Sequence, residues 1–374
     1  MKDLIRRYNA IYMVYGSCLF ILIAVAIAFR FNSVSPDGLA NRDRLLPASE
    51  QIAPERAIEL GVFVDNFYAF QAESKIYDAN GWVWLKWPRQ IQDRLVAKSM
   101  SPEKLLVFAN QIDDWDFSLV PDTESPVIMS DGRYYQRFKF SGHFYVDNLD
   151  YRKYPFQTIK IPLVFELDDS KLASADGTRP GLVMDRVGSG VGSYIDMGGY
   201  TTKGFELKEL VHEYSTSMGG VGKTLSIPQA RIEVAYYKST YATFLKLMLP
   251  LITIMTLALF APSLSSSGWD VRVGIPPTAL LTLIFLQQTY EQNLPELPYI
   301  TFMDSIYNVC YVVNLVLFGL FLWGSNELHE ASDENRASVI SHVDKIDERF
   351  QIGLTLLLIL AIILNWFTIN LGSA

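Results

Sequence analysis

Cysteine and charged side chains are both scarce in this chain. Its two cysteines, Cys18 and Cys310, lie in apolar segments, so the long stretch between them has no cysteine with which to form a disulfide. If that stretch faces an oxidising compartment, its hydrophobic core alone must hold it together. Asp, Glu, Lys and Arg make up 19% of the residues and hydrophobic residues 50%, whereas soluble domains are about 25% charged. The shortage of charge indicates that part of the chain lies in lipid.

The motifs of metal, nucleotide and nucleic-acid chemistry are missing as well. The four histidines are scattered, without a Cys/His spacing that binds zinc and without a glycine-rich phosphate or dinucleotide motif. No run of Lys and Arg points to nucleic acid, and the net charge is −8. No nucleophile is paired with a base. We therefore expect no enzyme activity, no cofactor, no metal and no nucleic-acid partner.

An apolar run at residues 10–29 follows Lys2, Arg6 and Arg7. Basic residues before an apolar run keep the N-terminus in the cytoplasm. Segment 1–32 is therefore either a cleaved signal peptide or a retained membrane anchor, and both export the chain that follows. Residues 33–55 are polar and irregular, which predicts a linker.

Residues 56–238 show short alternations of apolar and polar side chains. Examples are residues 81–87, 137–140 and 231–236, all rich in aromatic or β-branched residues. Such alternation predicts strands with one buried face, and Asp131-Gly132 is a hairpin turn signal. Many short strands in one exported stretch predict an antiparallel β-sandwich.

Four apolar runs occur after residue 238. They cover residues 241–264, 273–290, 300–323 and 352–369, and each is close to the ~20 residues that span a bilayer. Residues 324–350 are charged, which predicts a cytoplasmic connector. We expect 239–374 to form a four-helix transmembrane domain in the cell (inner) membrane, with the β domain facing the periplasm or the outside.

The second of these helices carries a polar stripe. At helical spacing, one face presents Asp270, Gly274, Thr278, Leu281, Phe285, Gln288 and Gln292. A lipid-facing stripe would not carry such groups, because burying them unpaired is expensive. A stripe that lines a water-filled path would carry them, and so would a helix–helix contact in which Thr and Gln form interhelical hydrogen bonds.

Several motifs in order along the chain resemble one family. Residues 80–87 resemble its second strand, and Tyr154-Pro155-Phe156 resembles its signature loop. Residues 247–250 resemble its first pore-domain helix, residues 272–283 its pore-lining helix, and residues 293–304 the loop and helix that follow. In order and spacing, the chain is similar to a prokaryotic member of the pentameric ligand-gated ion channels, the Cys-loop receptor superfamily. The cysteines that flank the signature loop in many members are absent here.

The resemblance implies a homopentamer whose pore is lined by the second helix of each subunit. Rings of Asp270 at the inner mouth and Glu291 at the outer mouth would then favour cations, although Asp270 is also a candidate helix N-cap. Leu281 matches the family's hydrophobic gate and Phe285 adds a second constriction, with ordinary packing as the alternative for both. Pro276-Pro277 predicts that the pore helix begins near Gly274, which leaves Asp270 on a loop.

The family couples its two domains through an ionic contact at the domain boundary. Here the two positions are Gln157 and Lys238, which can form only a hydrogen bond, and Glu73 is the candidate source of the missing carboxylate. The coupling interface implied by the resemblance consists of Glu73, Tyr154, Pro155, Phe156, Gln157, Lys238, Pro295 and Pro298.

The resemblance also implies an agonist site between neighbouring subunits. By position, its candidate residues are Trp84, Phe108, Phe138, Asp168, Glu213 and Tyr214, with Asn110 and Asp169 beside them. An aromatic box with carboxylates suits an amine, but the sequence leaves open amines, protons, divalent cations or no agonist. The expected partners are further copies of the chain, membrane lipid, permeating ions and a small-molecule agonist. The alternative function is a non-conducting membrane-anchored sensor or adaptor with a ligand-binding β domain.

Overall fold

A computed structural model of the chain describes residues 44–47, 52, 54–112, 115–147, 149–167, 180–193, 195, 197–219, 224–292 and 294–371. Segment 1–32, predicted as a signal peptide or anchor, lies outside the described residues. So do most of the predicted linker 33–55 and the ligand candidates Asp168 and Asp169. The described residues belong to two compact units, one made of sheets and one made of helices.

The β unit contains twelve strands and one short helix in the part of the chain that is described. The strands are β1 (Arg44–Pro47), β2 (Ala57–Gln71), β3 (Ile76–Trp87), β4 (Leu106–Phe108), β5 (Ser118–Pro121), β6 (Val127–Ile128), β7 (Tyr134–Tyr145), β8 (Thr158–Leu167), β9 (Gly181–Met184), β10 (Gly190–Val191), β11 (Thr201–Tyr214) and β12 (Leu225–Tyr237). Helix α1 (Arg89–Ala97) follows β3.

These strands form two sheets. One has five strands in the order β1-β11-β12-β8-β4, and the other is built on the path β10-β2-β3-β7-β5, with β6 added to β7 and β9 added to β2. Pairing is antiparallel except that β9 and β10 run parallel to β2. The predicted hairpin turn at Asp131-Gly132 joins β6 to β7, and Gly132 has a φ of +80° there. The predicted fold class of mostly antiparallel sheets is confirmed.

Alternation along the strands produces the core of this unit. On β7, Phe138, Phe140 and Phe144 are buried, whereas Lys139, between the first two of them, is exposed. Phe108 of β4 lies among them, with its ring centroid 4.8 Å from that of Phe165 and 5.3 Å from that of Phe140. Aromatic side chains bury large apolar areas and favour such tilted contacts. A core of this kind supplies the cohesion that a unit without disulfides requires.

Among the described residues, the second unit contains four helices that are long and apolar enough to cross a membrane, judged by length and composition. They are α2 (Thr240–Ser263), α3 (Trp269–Glu291), α4 (Phe302–Glu330) and α5 (Arg336–Leu371). Helix α4 is the most buried of the four, since its contacts with α3 and α5 cover much of its surface. A capping box of Thr301 and Asp304 starts it.

Two predicted segments contain regular structure. Residues 324–350, predicted as a cytoplasmic connector, include the end of α4, which continues to Glu330, and the start of α5, which begins at Arg336. Both helices continue beyond their apolar parts into charged segments, because charged side chains do not interrupt backbone hydrogen bonding. Within the segment predicted as a linker, Arg44–Pro47 forms β1, which pairs with the edge of β11.

The predicted start of the pore helix is wrong. Helix α3 begins at Trp269, so both Pro276 and Pro277 lie inside it and Asp270 lies in its first turn. The φ of proline suits a helix, but each proline removes one backbone hydrogen bond. The N-cap position is Gly268 rather than Asp270, so the alternative role of Asp270 as an N-cap is not supported. Contacts of Arg272 with other helices hold this first turn in place.

A close approach between β2 and β3 generates a prediction. A Cβ atom on Gly81 would lie 2.3 Å from the backbone oxygen of Phe63 and 3.0 Å from the Cα of Val64. Neither atom can move without disturbing the sheet, so Gly81→Ala should destabilise the protein by about 1–3 kcal/mol. Thermal unfolding in detergent measures this. The control is Gly198→Ala, because nothing lies within 4 Å of the added carbon there. Equal melting temperatures for the two variants would contradict the packing at Gly81.

Candidate pore helix, signature loop and outer-sheet cluster

Helix α3 has one packed face and one exposed face. Its buried residues are Arg272, Pro276, Ala279, Leu283 and Tyr290. All seven residues of the predicted polar stripe are exposed in the single chain: Asp270, Gly274, Thr278, Leu281, Phe285, Gln288 and Gln292. Leu281 and Phe285 are 55% and 59% exposed, whereas Leu283 is fully buried. A stripe of this composition on the unpacked face requires either water or another chain against it.

The polar groups near this stripe bond mainly within their own helix. The hydroxyl of Thr278 donates to the carbonyl oxygen of Gly274 at 2.8 Å, as serine and threonine commonly do in helices. At the C-terminal end of α3, Gln287 donates to the carboxylate of Glu291 at 2.7 Å and accepts a hydrogen bond from Tyr311 of α4. The carboxylates of Asp270 and Glu291 are both exposed, at opposite ends of the helix. One contact of the kind that the alternative predicts joins the helices at Gln287, beside the stripe.

The signature loop is part of the helical unit. Although it lies between β7 and β8 in sequence, the segment 151–157 groups with the helices. The backbone N–H of Phe302 donates to the carbonyl oxygen of Arg152 at 2.8 Å. The ring of Phe156 lies 6.4 Å from Phe302 and 6.1 Å from Trp366 between centroids. The loop is therefore anchored at the ends of α4 and α5 by a backbone hydrogen bond and aromatic packing.

A stack of tyrosines connects this loop to α3. The ring of Tyr154 stacks on Tyr290 of α3 with a centroid distance of 6.0 Å, and Tyr290 stacks on Tyr307 of α4 at 5.3 Å. The hydroxyl of Tyr290 donates to Asp304. The other carboxylate oxygen of Asp304 accepts from the backbone and side chain of Thr301, both at 2.8 Å. The signature loop, the C-terminal end of α3 and the first turn of α4 thus form one contiguous network.

Other residues of the predicted coupling interface lie in different environments. Gln157 is buried, and its carboxamide has no hydrogen-bond partner among the described residues. Pro295 is buried and Pro298 exposed in the loop after α3. The predicted contact of Gln157 with Lys238 stays a prediction.

Glu73 and Lys238 both belong to the β unit. Glu73 is exposed in the turn between β2 and β3. The ammonium of Lys238 lies 5.0 Å from the ring centroid of Tyr200, a cation–π contact. Burial disfavours the charged ammonium and lowers the pKa of Lys238. The role of Glu73 as a replacement carboxylate stays a prediction.

A buried carboxylate on the outer face of the five-stranded sheet was missed from the sequence. Both oxygens of Glu166 are occupied, since Oε1 lies 2.9 Å from Nδ1 of His212 and accepts from Gln229 at 2.7 Å, and Oε2 accepts from the hydroxyl of Tyr214 at 2.8 Å. The rings of His212 and Tyr214 stack at 4.0 Å. Tyr214 was a predicted ligand residue, whereas its neighbour Glu213 points to the opposite side of the strand. The available signal was a single Glu within the apolar run of β8.

Two predicted ligand residues are corrected. Phe138 is fully buried and Phe108 is 5% exposed, so both side chains belong to the core. Strand alternation explains this, because it directs Arg137 and Lys139 outward in place of Phe138. The guanidinium of Arg137 lies 4.5 Å from the ring centroid of Trp82.

Trp84 lies on the same outer face as Trp82. Its indole N–H donates to Asp185 at 3.1 Å. Asp185 also accepts from Lys86 at 2.7 Å. The indole packs over Gly61, where a Cβ atom would lie 2.0 Å from the ring. The ligand role of Trp84 stays a prediction.

No protein-family model matches this chain, and no curated protein matches its sequence. What the fold itself provides is a β unit of two sheets, followed in sequence by four apolar helices. That architecture is compatible with the pentameric ligand-gated ion channels.

A histidine held between two carboxylates generates a pH prediction for the β unit. Nδ1 of His143 lies 2.5 Å from Asp78 and Nε2 lies 2.7 Å from Asp116. The hydrogen bonds to Asp78 and then Asp116 raise the pKa of His143. The resulting stabilisation is present below the ordinary histidine pKa and is lost as the pH rises through the raised value. The exposed position limits its size.

We therefore expect the melting temperature to fall by up to a few degrees between about pH 6 and pH 8. His143→Gln should remove this part of the decline, whereas His342→Gln, an exposed change in α5, should retain it. The measurement is thermal unfolding across pH in detergent. Parallel curves for wild type and His143→Gln would contradict the assignment.

Proposed function

We propose that this chain is the subunit of a pentameric ligand-gated ion channel that prefers cations. The observation that carries the proposal is the exposed stripe on α3, in which carboxylate, hydroxyl and amide groups share a face with Leu281 and Phe285. In a bilayer such a face is costly against lipid and favourable against water. One helix cannot enclose a water-filled path, so several copies must each contribute one helix. The family resemblance supplies the number five.

The composition of the stripe supports a conducting pore more than a simple contact surface. Exposed carboxylates stand at both ends, at Asp270 and Glu291, and rings of carboxylates favour cations. Between them, Leu281 and Phe285 would form apolar rings, and apolar constrictions stop ions by dewetting. Each of these side chains is exposed in the single chain and so available to line a lumen.

The signature loop supports a gating role for the β unit. Its Tyr154 contacts Tyr290 at the outer end of the pore helix, so a displacement of the loop would bear directly on α3. The Glu166 cluster lies on the outer face of the five-stranded sheet. It is the candidate ligand region, because it joins a carboxylate to the two stacked rings of His212 and Tyr214. The class of ligand stays open.

Planar-bilayer recording of the purified protein tests the proposal. Stepwise single-channel currents are expected, with reversal potentials in asymmetric sodium chloride that follow sodium. Asp270→Ala should reduce cation preference more than Glu291→Ala if the inner ring dominates. Current that follows chloride would refute the selectivity. Purified, folded pentamer that never conducts would favour the non-conducting sensor or adaptor, and a stable monomer or dimer would refute the assembly.

A second prediction concerns the gate. Leu281→Ser would let water remain at the proposed constriction, which destabilises the closed state relative to the open state. The resting open probability should rise several-fold, and any agonist should act at lower concentration. The matched control is Leu283→Ser, because Leu283 lies two residues further along the helix and is fully buried. This change should act only through packing. Recordings in which Leu283→Ser raises the resting current and Leu281→Ser does not would mean that the lining face is misassigned.

A further inference from the structure

A buried ion pair holds the inner end of the pore helix. Arg272, in the first turns of α3, donates from its guanidinium to the carboxylate of Asp347 in α5. Both side chains are buried, and the guanidinium carbon of Arg272 lies 4.6 Å from the ring centroid of Phe321 in α4. Arg272 is therefore enclosed by a carboxylate from one helix and an aromatic face from another.

Stability alone does not account for this pair. Taking two charges out of water costs several kcal/mol for each ion, and well-packed apolar residues often stabilise a protein as well or better. The pair is also incompletely bonded, because Oδ1 of Asp347 and Nε of Arg272 have no hydrogen-bond partner within the described residues. A costly and partly satisfied pair at this position indicates a role beyond holding helices together.

The position of Arg272 on the helix suggests that role. Arg272 is the one basic residue in α3, and it lies two residues after Asp270. Residues two apart on a helix point about 200° apart, so Arg272 faces away from the stripe that carries Asp270. Near the pair, the carboxylate of Asp344 accepts from the backbone N–H of Ser266 at 2.9 Å, which also fastens this end of the helix to α5.

We infer that Asp347 determines the charge selectivity of the pore by neutralising Arg272. This inference rests on the proposed function. With the pair intact, each copy contributes the negative charge of Asp270 to the inner mouth and no compensating positive charge. Without Asp347, the long side chain of Arg272 carries an unpaired charge that moves toward water, and each guanidinium then offsets one carboxylate of Asp270. Asp347 is thus a specificity-determining residue that acts through Arg272 without touching the ions.

The test compares reversal potentials in asymmetric sodium chloride for full-length variants in planar bilayers. Asp347→Asn is expected to lower the sodium-to-chloride permeability ratio by about fivefold or more. Glu348→Gln is the matched control, because it removes the same charge from the next residue, whose side chain is exposed. It should leave the ratio unchanged. A merely structural pair would change the amount of assembled protein but not the reversal potential.

The decisive comparison is a double variant that removes both charges of the pair. Arg272→Gln combined with Asp347→Asn removes both charges and should restore the wild-type ratio. If the Asp347→Asn variant does not assemble, the reversal potential of the single variant Arg272→Gln tests the inference. Arg272→Gln should keep or increase the preference for cations. Three outcomes would overturn the inference: an unchanged ratio in Asp347→Asn, a double variant without recovery, or a lowered ratio in Arg272→Gln. None of these would refute the proposed function as long as the wild-type protein carries cation current. Wild-type protein that carries no current would instead refute the proposed function, and this inference with it.

Discussion

Hydrocarbon offers no hydrogen bonds, and this constraint governs the whole helical unit. Polar groups that face lipid cost free energy, so a membrane helix must direct them to protein or to water. Helix α3 buries residues such as Leu283 and leaves the stripe that carries Asp270 and Gln288 exposed. The proposed assembly would resolve this conflict. Several copies around a common axis would convert the exposed stripe of each copy into the wall of an aqueous path.

The same helix is the centre of a network of contacts at its C-terminal end. Tyr290 is stacked between Tyr154 and Tyr307 and hydrogen-bonded to Asp304, which also caps the start of α4. Packed cores and hydrogen-bonded networks change between discrete arrangements rather than deforming smoothly. A loop joined to α3 in this way therefore has few means to move without changing the C-terminal end of the helix. Tyr290 is the central residue of this network, since it contacts the loop and α4 at once.

The sequence predicted the elements whose side-chain periodicity was strong, and it missed features that arise only from tertiary contacts. Alternation correctly indicated two antiparallel sheets, and the apolar runs correctly indicated four helices. Phe138 was misplaced because a resemblance by position does not specify which face of a strand a residue occupies. The Glu166 cluster was missed because its members are brought together from three strands, and no local pattern links residues 166, 212 and 229.

The start of α3 shows why local rules failed at one particular place. The prolines at 276 and 277 remove two backbone hydrogen bonds, and propensity alone therefore predicts that the helix begins near them. The segment before them remains helical because its side chains are held from outside the helix: Arg272 by Asp347 and Phe321, and Trp269 by an edge-to-face contact with His329 at 5.2 Å. Tertiary contacts thus offset a local cost. If the pore is as proposed, the same contacts keep Asp270 on a helical turn at the inner mouth while the neighbouring positive charge is directed away from it.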